Sequence, residues 1–254
     1  MSAAQNPIAL ITGATSGIGR AAALALAKAG YNIIATGRRA GRLQELEAAI
    51  GKNRCITLQF DVRDREAAEA NFASVPAEWQ HINLLINNAG NAHGLSPFQT
   101  GDMADWDAMI DGNVKGLLYV TRAALPYLKR AANPHIINIG SIAGKEVYAN
   151  GNVYCASKFA VDALSKAMRI DLLTEGIKVS EINPGLVETE FSKVRFKGDD
   201  ARASQVYQGY QPLRPEDIAE LIVFMVTRPP HVNLAEILIL PAAQASATVV
   251  DKKI

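Results

Sequence analysis

Seven short runs of apolar, mostly β-branched residues recur along the chain: IALI (8–11), NIIAT (32–36), CITLQF (55–60), NLLIN (83–87), HIINI (135–139), KVSEI (178–182) and EILIL (236–240). Most are solidly apolar rather than alternating, which is the pattern of strands covered on both faces. Between them lie segments rich in Ala, Leu, Lys and Glu at helical spacing, such as GRAAALALAKAG, GRLQELEAAIG and PEDIAELIVFMVT. Strand and helix alternate, so right-handed crossovers give an α/β, doubly wound parallel sheet with its ligand crevice beyond the carboxyl ends of the strands.

A chain of 254 residues is long enough for one large core, and we expect residues 1–254 to form a single domain. The stretch SKVRFKGDDARASQVYQGYQP (192–212) breaks the alternation and reads as a mobile flap, at about 190–212, over the crevice. Lys and Arg total 26 against 25 Asp and Glu, so no global positive field gathers nucleic acid or an anionic membrane. Any phosphate must be met locally. Two cysteines, a start MSAAQNP without a basic and apolar leader, and apolar runs no longer than AEILILPAA point to a cytoplasmic protein that does not span a membrane.

The first strand runs into TGATSGIG, where Gly13, Gly17 and Gly19 open an alanine-rich helix. Glycines let the backbone approach a pyrophosphate closely, and the free N–H groups at a helix start favour the anion. The place between strand and helix is where a dinucleotide site belongs. After the second strand stand Gly37, Arg38 and Arg39, where an acid would hold a ribose 2′-hydroxyl. A small residue followed by two guanidinium groups suits a 2′-phosphate instead, favouring NADP over NAD. Two readings stand for Asp61 after the third strand: an acceptor for an adenine amino group, or a plain strand-end cap.

In NVYCASKFAV (152–161), Tyr154 and Lys158 fall at i, i+4 on one helical face. An ammonium near a phenol favours the phenolate, making the tyrosine usable for proton transfer. GSIAG (140–144) and NNAG (87–90) each follow a strand, so Ser141 and the asparagine loop should sit at the crevice; Asn113 is expected at a helix start, where its amide would hold a water linking Lys158 to solvent.

TGATSGIG, NNAG, Asn113, Ser141, the YCASK pentapeptide (154–158) and PGLVET (184–189) together resemble the short-chain dehydrogenase/reductase family over essentially the whole chain. That resemblance implies a Rossmann-type, seven-stranded parallel sheet with helices on both faces. It implies hydride transfer between nicotinamide C4 and a carbonyl or alcohol carbon, with a tetrad of Asn113, Ser141, Tyr154 and Lys158. In this picture Ser141 orients the substrate oxygen, Tyr154 exchanges its proton, and Lys158 lowers the tyrosine pKa, binds the nicotinamide ribose and passes protons onward. The cofactor contacts implied are Gly13, Thr15, Ser16, Gly17, Ile18 and Gly19 on the first turn, Arg38 and Arg39 on the second, and Asp61 and Val62 on the third. Asn88, Ala89, Gly90, Tyr154, Lys158, Pro184, Gly185, Val187 and Thr189 complete them. Apolar helices at 114–128 and 153–173 imply pairing between subunits into a homotetramer or dimer.

ATGRRAGRLQEL, VPAEWQ, HIINIGSIAG, GNVYCASK and EFSKVRFKGDD look like the NADP-dependent 3-hydroxy acid dehydrogenase subgroup. Such enzymes oxidise L-allo-threonine, L-serine and other 3-hydroxy acids, and reduce malonic semialdehyde. A small hydroxy acid needs a carboxylate anchor beside Ser141 and Tyr154; Arg195 is the first candidate and Lys197 the second. A reductase of 3-oxoacyl thioesters or other ketones is the alternative within enzymes, and a dinucleotide-sensing protein without turnover is the alternative outside them. His81, His93, His135 and His231 show no ligand spacing, so no metal is expected. Cys155, Trp79 and Trp106 read as packing residues.

Overall fold

The computed structural model describes residues 6–253; most of the stretch read above for a leader, residues 1–5, lies outside the described residues. The seven apolar runs become β1 (Ile8–Ile11), β2 (Asn32–Gly37), β3 (Cys55–Gln59), β4 (Ile82–Asn87), β5 (His135–Ile139), β6 (Lys178–Pro184) and β7 (Glu236–Ile239). They form one seven-stranded sheet in the order β3-β2-β1-β4-β5-β6-β7. Every pairing is parallel. The order reverses direction between β1 and β4, and there the carboxyl ends splay apart into a crevice.

Both faces of the inner strands are buried, which is why those runs carry little polar alternation, whereas the edge strand β7 is partly exposed. Ala9, Ile11 and Ile33 point into one core with α1 (Gly17–Lys28), α2 (Ala40–Ile50) and α9 (Pro215–Val226). Ile8, Leu10 and Ile34 point into the other, against Phe72 of α3 (Arg65–Ala73) and Val120 and Leu128 of α5 (Gly116–Leu128). The long α6 (Asn152–Asp171) also packs on this second face beside β6. Its Tyr154 and Lys158 are both buried. Among the described residues, no helix is long and apolar enough to cross a membrane.

Two expectations need correction. Asn113 does not begin a helix: α4 (Met103–Ile110) runs into a π-helical turn (Asp111–Lys115) and on into α5, with Asn113 in the widened turn. Such turns interrupt the regular ladder and re-aim side chains, and no sequence periodicity announces one. The 190–212 stretch is less irregular than its sequence suggests, because it holds α7 (Phe191–Arg195) and α8 (Asp200–Gln205). Asp199 starts α8 by accepting the Arg202 N–H at 2.9 Å, a local cap that substitutes for apolar periodicity.

Candidate active site

A cleft of about 580 Å³ opens at the carboxyl ends of the strands, a volume suited to a cofactor and a small ligand. Nearly all the residues singled out from the sequence line it, from Gly13 to Ile18 through Arg38, Arg39, Asp61, Val62 and Asn88–Gly90 to Pro184, Gly185, Val187 and Thr189. Gly19 lies beneath the lining. A Cβ at Gly19 would strike the Gly13 carbonyl and the Asn88 amide, while Gly13 itself sits at φ 66°, with the Asn88 Nδ2 only 2.9 Å from any added Cβ. The loop therefore closes only with glycine at both positions. Thr12 stitches it to β4: its hydroxyl donates to the Ile86 carbonyl at 3.3 Å and accepts the N–H groups of Asn88 and Ala89 at 3.0 and 2.9 Å. A cradle whose walls are backbone fits a pyrophosphate.

At the β2 turn the charges are arranged more elaborately than the sequence shows. Arg39 donates its Nε and Nη2 to the Thr15 hydroxyl at 3.2 and 3.1 Å, and its Nη1 to Glu190 at 2.9 Å. Arg42, one turn into α2, donates to the same carboxylate at 3.2 Å. Arg38 faces Asp61 at 3.6 Å. Burial favours the neutral form of Asp61, but the hydrogen bonds and charge of Arg63, 2.7 Å away, outweigh it and hold the carboxyl below its ordinary range. Asp61 thus stays an acceptor, as an adenine amino group requires. Arg42, Arg63 and Glu190 escaped sequence reasoning; only the i+3 step from Arg39 pointed to Arg42, and nothing local pointed to Glu190.

Ser141, Tyr154 and Lys158 meet at the centre of the cleft. Ser141 is placed by β5 and β6, since its N–H donates to Asn183 Oδ1 at 3.0 Å and its hydroxyl accepts the Ala143 N–H at 3.1 Å. Lys158 Nζ donates to the Ile139 carbonyl at 2.9 Å. Burial pulls its pKa down to about 8 against the opposing charge of Glu181. Burial also raises the Tyr154 phenol above its ordinary value, and Ser141 and Arg195 pull it only partly back. The net direction is thus upward, burial outweighing the lowering expected at this position. Asn113 is spent on structure, its Nδ2 donating to the Asn91 carbonyl at 2.8 Å and to Ser157 Oγ at 2.9 Å, while its Oδ1 accepts the Asn91 N–H at 2.8 Å. One lone pair of Oδ1 remains for a water, and a Cβ added at Gly90 would lie 3.0 Å from that oxygen and 3.8 Å from Lys158 Nζ.

Arg195 reaches this centre and Lys197 does not. The Arg195 guanidinium lies 5.5 Å from both the Tyr154 and the Tyr148 ring centroids and donates to the Tyr148 hydroxyl at 2.9 Å. Lys197 instead pairs with Asp105 at 3.0 Å and Asp102 at 3.6 Å. Phe191, 5.7 Å from the Tyr154 ring, closes the apolar side. Tyr148 was missed because it stands in a turn without periodicity or motif. Among the described residues, Asp162, Glu181 and Glu236 bring carboxylate oxygens within 4.8 Å of one another. The Lys145 ammonium bridges all three and Lys166 pairs with two of them, so protein cations already sit among these carboxylates.

A dinucleotide cradle on a doubly wound sheet, with serine, tyrosine and lysine at its centre, defines a nicotinamide-type oxidoreductase site. The family model for short chain dehydrogenases matches residues 7–200, and the chain belongs to that family. It is 48% identical over 241 residues, 94% of this chain and 97% of the other, to the NADP-dependent 3-hydroxy acid dehydrogenase YdfG of Escherichia coli (strain K12). It is 44% identical over 250 residues, 97% of this chain and 99% of the other, to sulfoacetaldehyde reductase 2 of Chromohalobacter salexigens. The solved closed form of a serine dehydrogenase complexed with NADP+ superposes with a TM-score of 0.91 at 46% identity, covering 97% of this chain and all of that one.

Proposed function

We propose that this protein is an NADP-dependent dehydrogenase of small 3-hydroxy acids, among them L-allo-threonine, L-serine and 3-hydroxypropionate, or in reverse a reductase of 3-oxo acids such as malonic semialdehyde. The observation that carries the substrate class is Arg195, a guanidinium held by Tyr148 against the ring of Tyr154. A carboxylate paired there would leave the hydroxyl-bearing C3, one carbon beyond the neighbouring C2, near Ser141 and Tyr154. The cofactor side is supported by the glycine cradle and by Arg38, Arg39 and Arg42, whose guanidinium groups suit a 2′-phosphate. Residues 1–254 would act as one catalytic domain, with 190–212 covering the substrate. Exposed Leu118 on α5, Phe159 on α6 and Leu238 on β7 support a homotetramer, and two free buried thiols suit the cytoplasm.

Bound NADP(H) supplies or takes the hydride. The chain's own residues handle the oxygen and its proton. Ser141, fixed through its N–H by Asn183, orients the substrate oxygen. Tyr154 holds its proton at neutral pH because its surroundings are apolar, so it serves as the donor in reduction. In oxidation it must first lose that proton, and Lys158, whose pKa burial lowers to about 8, would pass it onward once itself deprotonated. Phe191 and Tyr148 line the cleft beside the reacting centre.

Initial rates with NADP+ and NAD+, each paired with L-allo-threonine, L-serine, 3-hydroxypropionate, 2-hydroxyethanesulfonate and 1-propanol, test the proposal. The 3-hydroxy acids with NADP+ are expected to be fastest and 1-propanol slowest. The sulfonate is included because one relative is named for sulfoacetaldehyde and a guanidinium accepts either anion. Preference for 1-propanol, or for acetoacetyl thioesters with NADPH, would overturn the anchor while leaving the proton chemistry in place.

A further inference from the structure

The β2 turn carries arginines where an acid would hold a ribose 2′-hydroxyl, yet the fold brings an acid there from elsewhere. Glu190 lies 151 residues from Arg39 along the chain, immediately before α7. Its Oε2 accepts from Arg39 at 2.9 Å and its Oε1 from Arg42 at 3.2 Å. Arg39 is held at the same time on Thr15 of the glycine loop, so the carboxylate is fixed against that loop rather than waving in solvent. Its chain neighbour Thr189 packs there too, 3.2 Å from where a Cβ on Gly17 would lie. The hydrogen bond from Arg39 holds the Glu190 carboxyl below its ordinary range, with Arg42 adding to it, which keeps it ionised at neutral pH.

We propose that Glu190 is a specificity-determining residue for the cofactor: its carboxylate competes with a 2′-phosphate for the guanidinium groups of Arg39 and Arg42, and so moderates the preference for NADP(H) over NAD(H). The inference rests on the reading that these arginines meet the 2′-phosphate. The sign differs between the two cofactors. A phosphate monoester carrying nearly two negative charges is repelled by the carboxylate and must take its partners, whereas a ribose 2′-hydroxyl can donate a hydrogen bond to it. The preference built by the arginines is thereby set below its maximum by a residue from the opposite side of the cleft.

The test is the Kd of NADP+, NAD+, 2′-AMP and 5′-AMP, by titration calorimetry, for the wild type, Glu190→Gln, the Arg39→Ala/Arg42→Ala pair and the triple variant. Glutamine keeps the shape, and the Glu190 side chain makes no cap bond to α7. The expected result is that Glu190→Gln binds NADP+ and 2′-AMP roughly two- to fivefold more tightly, the size of a partly exposed ion pair. Binding of NAD+ and 5′-AMP should stay level or weaken, and the gain for NADP+ should vanish in the background lacking both arginines. An unchanged or weaker preference for NADP+ over NAD+ in Glu190→Gln, or equal shifts for both cofactors, overturns the role of Glu190. The arginine pair tells the two failures apart: if its loss leaves the preference for NADP+ unchanged, the phosphate assignment of Arg39 and Arg42 falls, and if the preference collapses while Glu190→Gln is silent, only the competing carboxylate is wrong.

Discussion

The two walls of the cleft are held by different physics. The wall formed by the strand ends and α6 is buried, and its polar groups are tied to one another: Asn88 to Thr12 and Gly13, Asn113 to Asn91 and Ser157, Lys158 to Ile139. Breaking any of these strands a buried donor or acceptor, at roughly 1–3 kcal/mol each. The facing wall, residues 190–212, consists of two short helices tied down largely by partly exposed ion pairs, Glu190 with Arg39 and Arg42 and Lys197 with Asp105, together with Tyr207 on the Val187 carbonyl and Arg195 on Tyr148. Such ion pairs contribute about 0–1 kcal/mol each, and helices of this length do not stand alone. The first wall can hold atoms still for proton transfer; the second can exchange one charged partner for another at little cost. Chemistry and recognition are divided accordingly.

The largest expected effect comes from the first wall. Tyr154→Phe keeps the ring that packs on Phe191 and removes only the hydroxyl. Turnover with 3-hydroxypropionate should fall by roughly a thousandfold, within the range for a general acid–base group, while the Kd for NADP+ stays nearly level. Near-normal turnover in this variant would erase the division between the walls.

The second wall should respond in recognition instead. With 3-hydroxypropionate as the substrate, Arg195→Ala is expected to weaken binding, seen as a KM larger by roughly 10- to 100-fold, the worth of a charge-assisted hydrogen bond, with a much smaller change in kcat. Lys197→Ala, which loses only its pairs with Asp105 and Asp102, should leave KM close to the wild type. Steady-state kinetics on both variants decide the matter. If Lys197 carried the larger effect, the placement of Arg195 at the end of α7 would not be that of the substrate-bound enzyme.

How much of this was legible in the sequence follows the same division. All seven strands and the glycine turn could be read, because burial on both faces and a backbone-lined cradle leave marks within a few consecutive residues. Tyr154 and Lys158 were legible for a similar reason, being one helical turn apart. The π turn at Asn113 and the helices of 190–212 were not, since a widened turn or a helix of five residues has no period to detect. Glu190 was hidden for another reason: its partners Arg39 and Arg42 are distant in sequence, and only the closing of the sheet brings them together. The upward shift of Tyr154 was not legible because spacing places Lys158 nearby but cannot show how deeply the fold buries the phenol.

The smallest effect, taken over any one pH unit, comes from neither wall but from the amino end of the sheet, opposite the cleft, where His135 opens β5. His135 on β5 is buried, and its Nε2 lies 2.8 Å from Ser180 Oγ. Ser180 has one hydroxyl hydrogen and gives it to Asn233 Oδ1 at 2.8 Å, an orientation fixed because Asn233 Nδ2 donates to the Val179 carbonyl at 3.2 Å. The imidazole must then donate from Nε2, which assigns its neutral tautomer. Burial, with Lys178 adding to it, drives its pKa from 6.5 down to about 3. Between those values the unfolded chain binds a proton that the folded chain refuses, so stability is full above about pH 6.5 and falls as pH is lowered toward 3, by on the order of 1 kcal/mol per unit. Asp61, Asp162 and Glu190, whose pKa values are lowered, add losses of the same sign at lower pH, and Glu181, whose pKa is raised, opposes them. The difference between wild type and His135→Gln isolates the histidine, because glutamine can donate to Ser180 but cannot titrate. Urea unfolding at pH 7.5, 6, 5 and 4 should show the wild type losing stability faster than the variant as the acid rises. Parallel curves would mean that the imidazole accepts its proton without opening the sheet, and that the amino end of β5 yields more easily than its hydrogen bonds imply.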